Sequence, residues 1–137
     1  MKILFICRYN NFRSKVAKLF FDKLNKNPTV ETKASGLIKA VHYSREQQQE
    51  ALNKFGIRLE GVSELLDEDL YHWPDKIILV GDDIPATFFK ELKAEGTEII
   101  VWKLKDILPN DLDYKEKTQK LTESILKEVK KVEKELQ

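Results

Sequence analysis

The chain has 137 residues, 42% of them hydrophobic, which is enough apolar material for one domain with a buried core. Its 24 basic and 23 acidic residues leave a net charge of +1, so bulk charge favours neither nucleic acid nor an acidic membrane as a partner. The single cysteine excludes an internal disulfide and a zinc site built from several cysteines, and it is typical of a reducing compartment.

The N-terminal apolar run is too short for a signal peptide or a membrane span. No internal repeat, linker or shift in composition divides the chain. We therefore expect a cytoplasmic, monomeric protein with one domain, residues 1–137, and with no cofactor, no metal site, no nucleic-acid partner and no membrane contact.

Strand-like and helical patterns alternate along the chain. Strands are predicted at Lys2–Ile6, Thr29–Ala34, Lys76–Val80 and Glu98–Trp102. Helices are predicted at Ser14–Lys26, Arg45–Phe55, Ser63–Leu70 and Pro85–Ala94, and from Lys115 towards the C-terminus. Gly56 is expected to end the second helix, and Ser63 is expected to cap the third.

This alternation predicts an α/β fold, a three-layer sandwich with helices on both faces of a parallel sheet. Four strands fit a flavodoxin-like arrangement with strand order 2-1-3-4. In such sheets ligands bind beyond the carboxyl ends of the strands. Cys7, Asp82 and Asp106 each follow a predicted strand, so all three are candidates for that edge.

Cys7 lies on a short loop between the first strand and the first helix. The N–H groups and dipole of a helix N-terminus attract anions, and the same field favours the nucleophilic thiolate. Arg13 can make planar two-point contact with phosphate, and Ser14 can donate its hydroxyl to the sulfur. Asn10 tolerates left-handed backbone geometry. A lone buried cysteine is otherwise an inert core residue, so the surrounding loop carries the prediction.

The loop resembles that of the low-molecular-weight protein tyrosine phosphatases and the related arsenate reductases, whose pattern is Cys-x-Gly-Asn-x-Cys-Arg-Ser. This chain keeps Cys7, Asn10, Arg13 and Ser14 in register. The resemblance extends more weakly to Ala34-Ser35-Gly36, Phe55-Gly56-Ile57 and Ile77-Ile78-Leu79-Val80. It implies that Cys7 is the nucleophile and Arg13 the phosphate clamp, and that the substrate loop consists of Arg8, Tyr9, Asn10, Asn11, Phe12 and Ser14.

Two positions of the loop depart from the family pattern. Tyr9 replaces a glycine, so the loop must accept a side chain there, and Tyr9 is a candidate for the mouth of the pocket. Phe12 replaces the second cysteine, so Cys7 lacks a partner for a protective disulfide and is open to overoxidation. In the family the loop after the second strand lines the substrate cleft, where this chain has His42 and Tyr43.

The resemblance also implies a general acid after the fourth strand, where the family has an aspartate that is usually followed by proline. Asp106 occupies this place, although Ile107 replaces the proline. Other acidic residues remain rivals for the role: Asp82, Asp83, Asp111 and Asp113. For the pair Asp82 and Asp83, capping of the following helix is the favoured interpretation.

These features favour a metal-free phosphatase that hydrolyses phosphotyrosine-like monoesters through a phosphocysteine. Its partners would be a phosphorylated protein or a small phosphomonoester. One alternative is arsenate reduction resolved by an external thiol, because the chain has no second cysteine. Another alternative is a phosphate-binding module without turnover. Phosphocarrier subunits with a cysteine after the first strand are shorter and do not need Arg13 and Ser14.

Overall fold

The computed structural model describes residues 1–39, 45–108 and 110–136, so His42 and Tyr43 lie outside the described residues. The strands are β1 (Lys2–Cys7), β2 (Glu31–Gly36), β3 (Lys76–Val80) and β4 (Glu98–Trp102). The helices are α1 (Arg13–Leu24), α2 (Arg45–Asn53), α3 (Glu68–His72), α4 (Lys90–Ala94) and α5 (Tyr114–Glu135). A short 3₁₀ helix, Ala86–Phe89, precedes α4.

All strands are parallel, and they form one four-stranded sheet in the order β2-β1-β3-β4. This confirms the predicted topology. β1 is central, and every residue from Ile3 to Cys7 is buried. A strand of this kind is covered on both faces, which explains why its sequence is a continuous apolar run instead of an alternating one.

Helices cover both faces of the sheet, as predicted for a three-layer sandwich. The pleat of β1 sends Ile3 and Phe5 into one apolar cluster, with side chains from α1, α2 and α5. Leu4 and Ile6 enter a second cluster on the opposite face, with residues from the 3₁₀ helix and α4. The apolar stripe of α5 faces the first cluster, where Ile125 and Val129 are completely buried.

The second strand lies two residues later than predicted. Asn25 and Asn27 hold a polar turn before it, in which Asn27 Oδ1 accepts from the backbone N–H of Thr29 at 3.0 Å. Such side-chain bonds to nearby backbone compete with strand pairing. The ladder therefore starts with Lys2 opposite Glu31 and ends with Cys7 opposite Gly36.

The predicted third helix was wrong in its position and in its cap. The helix spans Glu68–His72, and Asp67 caps it by accepting from the backbone N–H of Leu70 at 2.8 Å. Ser63 lies before this helix, in a segment where Leu65 instead forms a parallel bridge with Gly36 of β2. The pairing of this segment with the sheet edge displaces the start of the helix towards the C-terminus.

Among the described residues, no helix is long and apolar enough to cross a membrane.

The cap of α3 gives a direct test of this assignment. Replacing Asp67 with alanine should lower the free energy of unfolding by about 1 kcal/mol, because Leu70 N–H loses its acceptor. Replacing Ser63 with alanine is the matched control and should change stability by less than about 0.5 kcal/mol. Urea denaturation of both variants makes the measurement, and a larger loss for Ser63→Ala would contradict the structure.

Candidate active site

The sulfur of Cys7 lies at the end of β1 and is surrounded by hydrogen-bond donors. The backbone N–H groups of Asn10 and Ser14 donate to Sγ at 3.2 and 3.4 Å, and Ser14 Oγ lies 3.1 Å from it. Asn10 Nδ2 donates to Ser14 Oγ at 2.7 Å, and Ser14 Oγ donates to the carbonyl of Ser35 at 3.4 Å. Donors aimed at one atom stabilise negative charge there, so this environment suits a thiolate.

Asn10 determines the shape of the loop. Its φ of 50° lies in the left-handed region, which asparagine tolerates better than most residues. Its side chain joins the loop to its surroundings, since Oδ1 accepts from the backbone N–H of Glu64 at 2.9 Å. Gly36 lies directly behind the loop, and a Cβ at this position would stand 2.6 Å from Asn10 N. The loop conformation therefore depends on both residues.

Arg13 is the largest polar side chain buried at the site, with 1% of its side chain exposed. Its Nη1 and Nη2 donate to the two carboxylate oxygens of Asp83, each at 2.9 Å. Nη1 also donates to the carbonyl of Leu104 at 3.3 Å. This paired contact fixes the plane of the guanidinium. Burial lowers the pKa of Arg13, but the bond to Asp83 and the nearby charges of Cys7 and Asp106 outweigh burial and raise it overall.

One residue of the pair Asp82 and Asp83 was expected to cap the following helix, and this was wrong. Pro85 is the N-cap of the following 3₁₀ helix, and no side chain caps it. The buried guanidinium instead takes the carboxylate of Asp83, because an unpaired buried cation is far more costly than an uncapped exposed turn. The residue before the pair is Gly81, where a Cβ would stand 2.0 Å from Arg13 Nη1.

Asp106 lies on the loop after β4, near the same arginine. Its Oδ1 is 3.6 Å from Arg13 Nε and accepts from the backbone N–H of Ile107 at 2.9 Å. Burial raises the pKa of Asp106 above its usual range, while Arg13 and the Ile107 N–H oppose this shift. A carboxyl with a raised pKa retains its proton to higher pH, as a general acid requires.

Cys7 and Asp106 line the same small cavity. It has a volume of about 10 Å³. Its walls are Cys7, Tyr9, Asn11, Phe12, Arg13, Gln48, Asp106, Ile107, Tyr114, Thr118 and Leu121. A larger groove of about 760 Å³ runs beside β2, but it is lined by none of Cys7, Arg13 and Asp106. The small cavity is therefore where Cys7, Arg13 and Asp106 meet.

The remaining loop residues have different surroundings. Tyr9 and Asn11 line the cavity, and Phe12 lines it while packing into the core. Arg8 is exposed, and its guanidinium lies 5.4 Å from the centre of the Tyr9 ring. The side chain of Asn10 faces Ser14 and Glu64 behind the loop, so it acts on the loop and not from the cavity wall.

The rivals of Asp106 have other neighbours. Asp82 follows β3, and its backbone N–H donates to the carbonyl of Leu104 at 3.1 Å. Asp111 Oδ2 accepts from the backbone N–H of Leu108 at 2.9 Å. Asp113 is the first residue before α5, with a φ of 57°. None of these three lines the cavity with Cys7, and the described part of the chain has no group of three potential metal-binding residues.

Sequence reasoning missed three polar residues of the cavity wall, Gln48, Tyr114 and Thr118. Gln48 lies on α2, Tyr114 and Thr118 lie on α5, and all three reach the cavity that holds Cys7. No local motif marks any of them, because each is brought to the site by the packing of a helix. Gly81-Asp82-Asp83, by contrast, gave a usable signal, since it follows a strand at the carboxyl edge of the sheet.

No family model and no curated protein matches this chain. Solved structures do match it over nearly its whole length. The YwlE arginine phosphatase from Geobacillus stearothermophilus is 17% identical, with a TM-score of 0.78, and the match covers 98% of this chain and 92% of that one. The tyrosine phosphatase Wzb from Escherichia coli K30, in complex with sulphate, is 17% identical, with a TM-score of 0.74 and coverages of 99% and 98%.

An arsenate reductase from Archaeoglobus fulgidus is 18% identical, with a TM-score of 0.62 and coverages of 93% and 98%. The chain shares the fold of the low-molecular-weight phosphatases and arsenate reductases. This confirms the flavodoxin-like α/β architecture predicted from the sequence. At these identities the comparison establishes the fold, and the activity has to be argued from the residues of the site.

Because Gly81 lies against the Arg13 guanidinium, a side chain at position 81 should weaken the binding of anions. In Gly81→Ala the new Cβ displaces the Arg13 guanidinium, so the affinity for inorganic phosphate should fall by about tenfold or more, the effect of one lost charged contact. Isothermal titration calorimetry measures this affinity. Gly96→Ala is the matched control, because Gly96 also has a positive φ but its Cβ would meet nothing within 4 Å. Equal affinities in the two variants would contradict the proposed constraint on Arg13.

Proposed function

We propose that this protein is a metal-free phosphatase that hydrolyses phosphotyrosine-like monoesters through a phosphocysteine. One observation carries the proposal: Cys7 Sγ sits among the donors of a strand-to-helix loop, in the cavity that Arg13 and Asp106 also line. A nucleophile, a fixed cation and a carboxyl with a raised pKa are the groups that phosphoryl transfer to sulfur needs.

In the first half-reaction the thiolate of Cys7 attacks phosphorus. The guanidinium of Arg13 and the backbone N–H groups of the loop hold the non-bridging oxygens, where charge is spread in the transition state. Asp106, protonated in its partly buried position, donates its proton to the leaving oxygen. The products of this step are a free alcohol or phenol, a phosphocysteine and an ionised Asp106.

In the second half-reaction water hydrolyses the phosphocysteine. Ionised Asp106 now takes a proton from the attacking water, which restores its acid form for the next cycle. The S–P bond breaks with its electron pair on sulfur, and Ser14 Oγ, 3.1 Å away, stabilises the thiolate that leaves. The pairing of Arg13 with Asp83 keeps the cation in place through both steps.

Substrate preference is proposed from the mouth of the cavity. Tyr9 lines it in place of the family's glycine, and its ring offers a face to an aryl phosphate. The exposed Arg8 stands over that ring and adds a positive charge for an anionic substrate. One structural neighbour is named as an arginine phosphatase, so phosphoarginine is the comparison substrate for phosphotyrosine in any assay of specificity.

Arsenate reduction remains the second candidate, because three structural neighbours with this fold are named as arsenate reductases. Arsenate is a tetrahedral oxyanion like phosphate, and the donors around Cys7 suit both. The chain has no second cysteine, so an external thiol would have to resolve the arsenic adduct. Arsenate-dependent oxidation of glutathione is the assay that would favour this candidate over the phosphatase.

Removal of the nucleophile tests the proposal directly. Cys7→Ser should reduce p-nitrophenyl phosphate hydrolysis at pH 5–8 to the uncatalysed rate, because a neutral serine hydroxyl is a far weaker nucleophile than a thiolate. Phosphate binding should persist in this variant, since Arg13 and the loop N–H groups remain. A wild-type protein that binds phosphate without hydrolysing the ester would contradict the phosphatase and favour a binding module.

The role of Asp106 is tested by varying the leaving group. Asp106→Asn should lower kcat/KM for phenyl phosphate by about 10²–10⁴-fold, because phenolate is a poor leaving group without a proton. The loss should be much smaller for 2,4-dinitrophenyl phosphate. Asp111→Asn is the control and should show no such dependence.

The pH profile gives a second measurement on the same variant. Because burial raises the pKa of Asp106 and only its protonated form donates, wild-type kcat/KM for phenyl phosphate should fall as pH rises through that pKa. Asp106→Asn should lose this alkaline limb. An unchanged limb in the variant would assign the acid to another residue.

A further inference from the structure

Residues 60–65 form a strap that reaches the back of the Cys7 loop without burying any side chain. Every residue of the strap is exposed except Ser63, which is half-buried. The strap has no helical or strand structure apart from the bridge between Leu65 and Gly36. A segment with no buried side chain gains little from apolar packing, so hydrogen bonds must determine where it lies.

Three consecutive backbone carbonyls of the strap accept hydrogen bonds from two cationic side chains. Lys15 Nζ donates to the carbonyl of Glu60 at 3.2 Å and to that of Val62 at 2.7 Å. Arg45 Nη2 donates to the intervening carbonyl of Gly61 at 3.4 Å, which is longer than a strong hydrogen bond. Lys15 is therefore the main anchor of this half of the strap.

The other half of the strap contacts the Cys7 loop. The backbone N–H of Glu64 donates to Asn10 Oδ1 at 2.9 Å, and the Glu64 carbonyl accepts from the N–H of Gly36 at 2.8 Å. With its Oδ1 occupied, Asn10 presents Nδ2 to Ser14 Oγ at 2.7 Å. Ser14 Oγ and the backbone N of Asn10 lie 3.1 and 3.2 Å from Cys7 Sγ. The strap thus orients a side chain that shapes the loop around the sulfur.

Lys15 can influence the anion site in two ways. It lines the groove beside β2, and it is absent from the walls of the cavity that holds Cys7. Burial lowers the pKa of Lys15 and Arg45 lowers it further, while Glu64 and Cys7 raise it, so the ammonium charge interacts with both the strap and the sulfur. Its effect on an anion therefore passes through the strap or acts through space as a charge, and these routes predict different results.

We propose that Lys15 is a positioning residue for the Cys7 loop, because it holds the strap where the Glu64 N–H fixes the amide of Asn10. Its effect on turnover rests on the proposed phosphatase function, whereas its effect on anion binding does not. Without Lys15, Arg45 is the one described donor left to the three carbonyls. The Asn10 amide then loses its fixed orientation, and the loop loses preorganised donors for the oxygens of a phosphoryl group.

The first experiment compares two lysines of α1. Lys15→Met keeps most of the length of the side chain and removes the donor. Its affinity for inorganic phosphate, measured by isothermal titration calorimetry, should fall by about tenfold, the effect of one misplaced hydrogen bond, and kcat/KM for p-nitrophenyl phosphate should fall with it. Lys18→Met is the matched control, because it removes the same charge one turn later, where Lys18 pairs only with Asp22 among the described residues. Its affinity should not change.

The second experiment separates the strap from the charge by a double-mutant cycle. Asn10→Gly accepts the φ of 50° and removes the amide that the strap orients, while Arg13 and the loop N–H groups still bind phosphate. In this background Lys15→Met should cause no further loss of affinity, because the strap has lost its contact with the loop. A charge that acts through space would cost the same factor in both backgrounds.

Gly61→Ala provides an independent variant that disturbs the strap and keeps Lys15. Its φ of 82° is unfavourable for alanine, so phosphate affinity should fall, and this loss should also disappear in Asn10→Gly. Unchanged affinity in Lys15→Met, an equal loss in Lys18→Met, or a loss that persists in Asn10→Gly would overturn the role of Lys15 and leave the phosphatase standing. A wild-type protein that binds phosphate without hydrolysing the ester would overturn the proposed function, while the measured affinities would still decide the role of Lys15.

Discussion

The buried ion pair between Arg13 and Asp83 is the interaction on which the candidate site depends. Taking a guanidinium out of water is costly, and removal of one partner from such a pair typically costs about 3–5 kcal/mol. The pair connects the start of α1 to the loop after β3, and the bond from Arg13 to the Leu104 carbonyl adds the loop after β4. One side chain thus fixes the relative positions of three segments at the carboxyl edge of the sheet.

This constraint has a chemical consequence. With Nη1 and Nη2 both occupied by Asp83, the guanidinium plane cannot rotate freely, and its Nε is left near Asp106. A preorganised cation needs no rearrangement when charge develops on a transferring group, and this is the largest source of rate enhancement in many enzymes. The burial of Arg13 therefore serves positioning more than stability, since buried ion pairs often add little net stability.

Charge balance around the cavity follows from the same arrangement. Cys7 as thiolate, Asp83 and Asp106 would place three negative charges near Arg13 and Arg8, before any phosphate binds. Burial raises the pKa of Asp106, and protonation of this carboxyl, the form proposed as the general acid, removes one of these charges. The departures at Tyr9 and Ile107 leave this electrostatic core intact, because no positive φ is needed at Tyr9 and the Ile107 N–H still bonds to Asp106.

Local sequence patterns were sufficient to predict the strand order, the two-sided sheet and the loop at Cys7, because buried parallel strands and strand-to-helix loops produce recognisable apolar runs and turn residues. The same patterns placed Arg13 and Ser14 close to Cys7, because both residues stand in the first turn of α1, directly after the Cys7 loop. Long-range packing, in contrast, determines that Asp83 pairs with Arg13 instead of capping a helix, and that Gln48 and Tyr114 reach the cavity. These contacts join residues far apart in the chain, and which partner a buried charge takes depends on which loops the packed helices bring beside it.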